Sequence, residues 1–345
     1  MTTERLHPGS IVIGRRRRAT RSTVVTLVLA LLVVALFLTT LVVGERFYSL
    51  GDVFAVITGQ DVPGASFTVG RLRLPRAIVG LLVGAAFGIA GMMFQGMLRN
   101  PLASPDIIGI SYGSSAAAVT AIAFFDLGGA AVSPVAIVGG LVVALLIYGL
   151  SWRGGVHGSR LILVGIAVGA VLLAVIQLVL TRTEVYKAAE ALRWITGSLN
   201  SAFWGDVLPL VIAMALLLPA AFALSRQLSI LQLGDDLAAG LGVRPERARL
   251  LIVLVGVGLT SVATAVAGPI AFVAFLAGPI STRLLPGAPR MLPAALVGSA
   301  LVLGADLVGA NLLPTTFPVG VVTGAVGAPY LLWLIARSNR NGGRL

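Results

Sequence analysis

The chain has 345 residues, 57% of them hydrophobic and only 11% charged, with a mean hydropathy of +1.00. Soluble domains carry roughly 25% charge, so a soluble globular protein is excluded and an integral membrane protein is indicated. Cysteine is absent, which removes disulfides and thiolate metal sites, and the net charge of +12 has to be explained by where the arginines lie.

In chain order, a basic tail over 1–22 containing "RRRRATR" leads into a first apolar run at 23–43. That run is longer than a signal-peptide core and lacks a small-x-small cleavage site, so it reads as a retained helix. Further runs at 76–97, 106–125, 131–151, 160–181, 205–225, 248–267, 270–284, 291–311 and 318–337 approach or reach the roughly 20 residues that cross a bilayer. The expected architecture is an all-α membrane protein of about ten transmembrane helices, with one membrane domain over 23–337 and a short tail over 338–345. An even number of spans puts both termini on one side. With that side cytoplasmic, 18 of the 25 basic residues fall inside and 7 outside, as the positive-inside rule requires. The basic excess is therefore a topology signal rather than a nucleic-acid surface, with contact to anionic lipid as an addition.

Within the second span Gly80, Gly84 and Gly88 recur every four residues, sharing one face suited to close helix packing. Just before it, "RLRLPR" at 71–76 places Arg71, Arg73 and Arg76 at the outer mouth. Snorkelling and docking of an acidic partner both account for them. Met92, Met93, Gln95 and Met97, near the inner end of the same span, are candidates for lining a pathway. "QGMLRNPLASPDIIG" at 95–109 reads as a tight connection across the inner surface, its two prolines preventing a continuous helix. The turn 152–160, "SWRGGVHGS", holds His157 and Gly158, has glycines for bending and lies where an inner gate is expected. His7 and His157 are too far apart for a local metal motif, and no metal site is expected.

"LQLGDDLAAGLGVRPERARL" at 231–250 is a polar island on the inner side. Asp235 is placed to cap a short helix, Leu237 and Leu241 share a face, Gly242 supplies a left-handed stop, and Pro245 suits the first turn of the next helix. Such a helix rests in headgroups or fills a groove on a soluble partner, and its two leading acids favour the protein partner. Asp306, in "LGADLVGAN", is the clearest intramembrane carboxylate and is either a functional group or a bond to a neighbouring helix.

Only one lysine, Lys187, is present, and "RTEVYK" before it has no glycine, so no Walker A loop is recognisable. If ATP drives this protein, a partner hydrolyses it.

Taken together, "RLPR" at 73–76, "RNPLASPDIIG" at 99–109, "WITGSLN" at 194–200, "LGDDLAAGLGV" at 233–243, "AGPIAFVAF" at 267–275 and "PVGVVTGAVGAPYLLWL" at 318–334 resemble the FecCD family. These are the permease subunits of ABC importers for iron chelates, haem and cobalamin. The resemblance implies a ten-helix permease that pairs with a second permease, two cytoplasmic ABC ATPases that bind ATP and Mg, and an external substrate-binding protein. No cofactor is expected on this chain. The resemblance further makes the segment within 231–245 the coupling helix, through Gly234, Asp235, Ala238, Leu241 and Gly242, and assigns Arg73 and Arg76 to docking the binding protein.

Two departures from the family pattern stand out. Members commonly read "GLIVPHIAR" where this chain has "AFLAGPISTR", so Gly278 and Pro279 replace Pro-His, and Ala310 stands where an arginine often follows the Asp306 position. Both favour a heterodimer with a second FecCD-type subunit. The expected function is ATP-driven import of a ferric siderophore through the inner membrane by alternating access. Cobalamin or haem import is the alternative. An ion-coupled secondary transporter, for which Asp306 offers little, is more distant.

Overall fold

The computed structural model describes residues 8–106, 108–152, 158–287 and 290–340, without the side chains of 8–18, 130, 335 and 337–340. Its regular structure among these residues is helical, as hydrocarbon requires of a backbone that must satisfy its own polar groups. The helices are α1 (Pro8–Val42), α2 (Leu50–Ile57), α3 (Ala65–Phe67), α4 (Leu74–Leu98), α5 (Ile110–Phe125), α6 (Val132–Ser151) and α7 (Gly158–Arg182). There follow α8 (Val185–Ile195), α9 (Trp204–Leu231), α10 (Asp235–Gly240), α11 (Pro245–Ala267), α12 (Val273–Leu284), α13 (Met291–Asn311) and α14 (Val319–Arg340).

Seven helical runs are long and apolar enough to cross a membrane, and the shorter apolar helices Ile110–Phe125, Val273–Leu284 and Val319–Leu334 fall on the remaining expected spans. The boundaries differ in informative ways. The first helix begins at Pro8 rather than 23, and α9 runs six residues past the expected 225. Upstream of α4, a π-helical stretch over Thr68–Arg73 joins α3 to it, so "RLRLPR" lies inside a continuous helical run and not ahead of one. The segments 45–70 and 182–204, which fall outside in the expected topology, contain α2 and α8.

Alternating helix direction gathers Arg21, Arg99, Arg244, Arg249, Arg283 and Arg290 at one end of the bundle. Contacts there include Arg21 Nη2 donating to the Leu284 carbonyl at 3.3 Å and a bond from Arg290 to Ser22. These arginines make it the basic end of the bundle. The other end holds α2, α8 and the connection from α13 to α14.

The core is organised on α4, which packs against α13, α11, α12 and α9. Its glycines explain how. A Cβ on Gly84 would lie 2.6 Å from the Gly298 carbonyl oxygen and one on Gly88 2.2 Å from that of Ala294, both on α13. A Cβ on Gly91 would lie 1.8 Å from the Ala274 oxygen on α12. Only hydrogen fits there, and the backbones approach as small-residue stripes allow.

Two helices begin inside the bundle. The segment 99–106 and residues 108–109 do not stay at the surface as expected. Gly109, at φ 89°, abuts Gly165 and Gly169 of α7, about 10 to 16 Å along that helix from its first residue. Accordingly α5 starts at Ile110, not 106. From the opposite end, Gly268–Phe272 dips inward before α12, with Phe272 at φ 64°. A bulky residue in the left-handed region is unusual and marks a constrained turn. The two dips enter from opposite ends, so α4–α5 and α11–α12 have inverted senses, an internal relation that no repeat in the sequence reveals.

Candidate functional site

The polar island folds as the short helix α10 between two glycines that only glycine suits: Gly234 at φ 115° and Gly242 at φ 81°. Asp235 is not the cap. Gly234 holds the N-cap position, and Asp235 is the first helical residue, freeing its carboxylate for other partners. Arg249 Nη2 donates to Asp235 Oδ1 at 2.7 Å and Oδ2 at 2.8 Å, and Arg99 Nη2 donates to Oδ1 at 2.9 Å. Burial alone would raise this carboxyl, but the hydrogen bonds and charges of Arg249 and Arg99 outweigh it and hold it below the ordinary carboxylate range.

These partners fix α10 to two spans. Arg99 sits at the C-cap of α4 in the left-handed conformation, φ 52°, and its Nε also donates to the Leu231 carbonyl at the end of α9. Arg249 belongs to the first turns of α11. Beneath them Ala238 is fully buried, whereas Leu237 and Leu241, four residues apart, are 61% and 62% exposed. α10 therefore has an anchored face carrying Asp235 and Ala238 and an open apolar face. Arg99 and Arg249 were not singled out from the sequence, because nothing in linear spacing pairs residue 99 with 235.

At the opposite end Arg76 and Asp306 form a two-point ion pair between α4 and α13, and Asp306 is buried. Arg73 donates through Nη1 to the carbonyls of Leu41 and Val42 at 2.9 and 3.0 Å and through Nη2 to that of Arg46 at 2.8 Å. It thus satisfies carbonyls that the end of α1 leaves open, and it lies 5.3 Å from the Tyr48 ring centroid. Both arginines expected at the docking surface have intrachain partners, while Arg71 beside them is exposed.

The pathway candidates on α4 separate. Met93 is fully buried and Met97 nearly so, both in the main core. Met92 and Gln95 instead line a cavity of about 410 Å³ at the basic end, together with Arg99, Pro279, Thr282 and Arg283. Gln95 Nε2 donates to the Phe275 carbonyl at 3.0 Å, and a Cβ on Gly278 would lie 1.7 Å from Gln95 Oε1. The Gly278 departure thus has a local cause: the Gln95 amide occupies the space that a side chain at 278 would take. Gly158 opens α7, where a Cβ would meet Leu98 at 3.1 Å, while His157 lies outside the described residues. Asp106, not singled out as a functional residue from the sequence, lies between Arg99 and α5 on the inward-dipping segment.

The FecCD transport family model matches residues 31–337. The ferric enterobactin transport system permease protein FepG of Escherichia coli (strain K12) is 41% identical over 292 residues, covering 84% of this chain and 88% of that protein. The achromobactin transport system permease protein CbrC of Dickeya dadantii (strain 3937) is 39% identical over 312 residues, 89% of each. Among solved structures, an inward-facing metal-chelate type ABC transporter superposes with a TM-score of 0.79 at 26% identity, covering 90% of this chain and 98% of that one. The chain belongs to the FecCD transport family and is a membrane permease subunit of an ABC importer.

Proposed function

We propose that this permease carries a ferric siderophore from an external binding protein to the cytoplasm, in a heterodimer with a second FecCD-type subunit driven by two partner ATPases that hold ATP and Mg. The observation that carries the coupling assignment is α10. It offers Leu237 and Leu241 to solvent, while Asp235 ties it to Arg99 of α4 and Arg249 of α11. A short helix exposing an apolar pair suits a groove on a soluble protein, and its anchored face transmits displacement to two spans. The permease does no covalent chemistry; it alternates between states that the ATPases bind differently.

The basic end is the cytoplasmic one in this reading, with both termini there, and the binding protein docks on the opposite end at the segment holding Arg71, Arg73 and Arg76. The siderophore assignment draws support from the cargo named for the two permease relatives. The domain limits follow: tails over 1–22 and 338–345 and a permease domain over 23–337, with the coupling helix within 231–245.

The test is uptake of radiolabelled iron as ferric siderophore, with labelled haem and cobalamin in parallel, in cells with and without this chain. ATP-dependent loss of iron uptake alone is the expected result. Loss of cobalamin or haem entry with iron uptake intact would change the cargo, and uptake that survives ATP depletion would overturn the coupling role of α10.

A further inference from the structure

The two dips that start α5 and α12 meet at a second cavity, of about 440 Å³, lined by Ser104, Asp106 and Tyr112 on one side, Phe272 and Phe275 on the other, and Gly169 on α7. Its volume falls within the roughly 300–1,000 Å³ usual for small-molecule sites. In many secondary transporters built from inverted repeats, cargo sites lie where helices are interrupted near mid-membrane, and here two helices begin in mid-bundle, one in each half.

Asp106 supplies a second and independent observation. Ser111 donates a hydrogen bond to its Oδ1, but its Oδ2 is buried with no hydrogen-bond partner among the described residues. A buried acceptor left open is unfavourable and calls for a donor that has yet to arrive. The protein does not provide one from the walls: none of the described residues lining the cavity is basic, and the lining is otherwise mostly aliphatic and aromatic. Beside the cavity α7 exposes Leu163, Ile166 and Val171, and Ile166 also lines it, so the site borders an exposed face of α7.

We propose that this cavity is a cargo-contact site within the membrane, in which Asp106 accepts a hydrogen bond from an N–H or O–H group on the rim of the chelate while Tyr112, Phe272 and Phe275 contact its body. The ligand class is thus a ferric chelate bearing hydrogen-bond donors outside its iron-binding groups, and the inference rests on the importer reading above. One unpaired carboxylate oxygen among mostly apolar walls suits passage, because it orients the chelate without holding it by many bonds. Asp106→Asn preserves size but removes the charge and turns one acceptor into a donor.

The test uses the complete importer reconstituted in proteoliposomes with its binding protein, ATP, and a set of radiolabelled ferric hydroxamate, catecholate and citrate chelates. For the chelate that the wild type imports, D106N is expected to lower uptake about tenfold or more, the scale of one charge-assisted hydrogen bond, and Asp106→Glu to restore part of it. Because D106N could also disturb assembly, a second measurement leaves Asp106 intact. Ala170, exposed and lining the cavity, is replaced in the variant Ala170→Cys, which gives the chain its only thiol. Maleimide labelling of this variant should fall when the imported chelate is present with ATP. Uptake by D106N within twofold of wild type, or labelling of the Ala170→Cys variant that is indifferent to a chelate being imported, would overturn the site and leave the importer standing. A wild type that imports none of the chelates would overturn the siderophore reading and this site with it.

Discussion

Arg76 and Asp306 meet between α4 and α13 through paired hydrogen bonds, Nε to Oδ2 at 2.8 Å and Nη2 to Oδ1 at 2.7 Å. The two-point geometry is the strong form of such pairs, and Asp306 has lost most of its water. Arg76→Ala should therefore destabilise the solubilised protein by roughly 2–3 kcal/mol, below the 3–5 of a fully buried pair because a quarter of the Arg76 side chain is exposed. The double variant Arg76→Met with Asp306→Leu should lose less than Arg76→Ala alone, since no buried charge is stranded. Thermal unfolding of the three proteins in detergent checks this, and equal losses would mean that the pair is not coupled.

The glycines of α4 should not tolerate substitution equally. At Gly88 and Gly91 an added Cβ meets backbone oxygen at 2.2 and 1.8 Å, which cannot move aside without parting two helices. At Gly80 it meets side-chain methyls of Leu199 and Leu303 at 3.0 and 3.1 Å, which can turn. Gly88→Ala and Gly91→Ala should reduce folded yield severalfold, as overpacking by about 1–3 kcal/mol or more implies, and Gly80→Ala should remain near wild type. Fluorescence-detected size exclusion would report the difference.

Gly278→Ala should harm the protein only because Gln95 is there. The new methyl would displace the amide that donates to the Phe275 carbonyl, leaving a buried carbonyl short of a partner. Gly278→Ala with Gln95→Ala should then cost less than the sum of the singles, a coupling of about 0.5–3 kcal/mol being usual for groups in contact. Strict additivity would remove the explanation offered for this departure from the family pattern.

The tie from α10 should be insensitive to pH across the physiological range. Arg249 and Arg99 hold the Asp235 carboxyl below its ordinary range, near 4 when unfolded. A depressed folded value stabilises above the unfolded one and is lost only as pH falls through the folded one. Co-purification of the ATPases should be the same at pH 8 and pH 5 for wild type, and weaker at both for Asp235→Asn. Asp235→Arg with Leu241→Asp should abolish it, and retained association would refute the assignment of α10.

The helices on the ten expected spans were legible because hydropathy over about 20 residues reports burial in lipid directly. So were the close approach at Gly84 and Gly88 and the open Leu237–Leu241 face, which follow from helical period alone. What stayed hidden was depth and partnership. The segment after α4 reads as a surface turn from its prolines, and the depth of residues 99–106 and 108–109 shows only when Gly109 is found against Gly165. A usable signal did exist: each of the two short helices, α5 and α12, follows a segment rich in glycine and proline, at matching places in the two halves. Arg99 and Asp235 are 136 positions apart, a distance across which no local pattern operates.

Fastened by Arg99 at one end, by Arg76 at the other and by glycine contacts along its middle, α4 has no freedom to slide or roll by itself. It is a strut of 25 residues, roughly 37 Å long, and whatever is rooted on it moves with it. In the coupling role proposed for α10, a displacement there would act through Arg99 on the end of this stiff body rather than on a local turn. By contrast α7, which flanks the Asp106 cavity, is largely exposed and has few buried contacts to hold it.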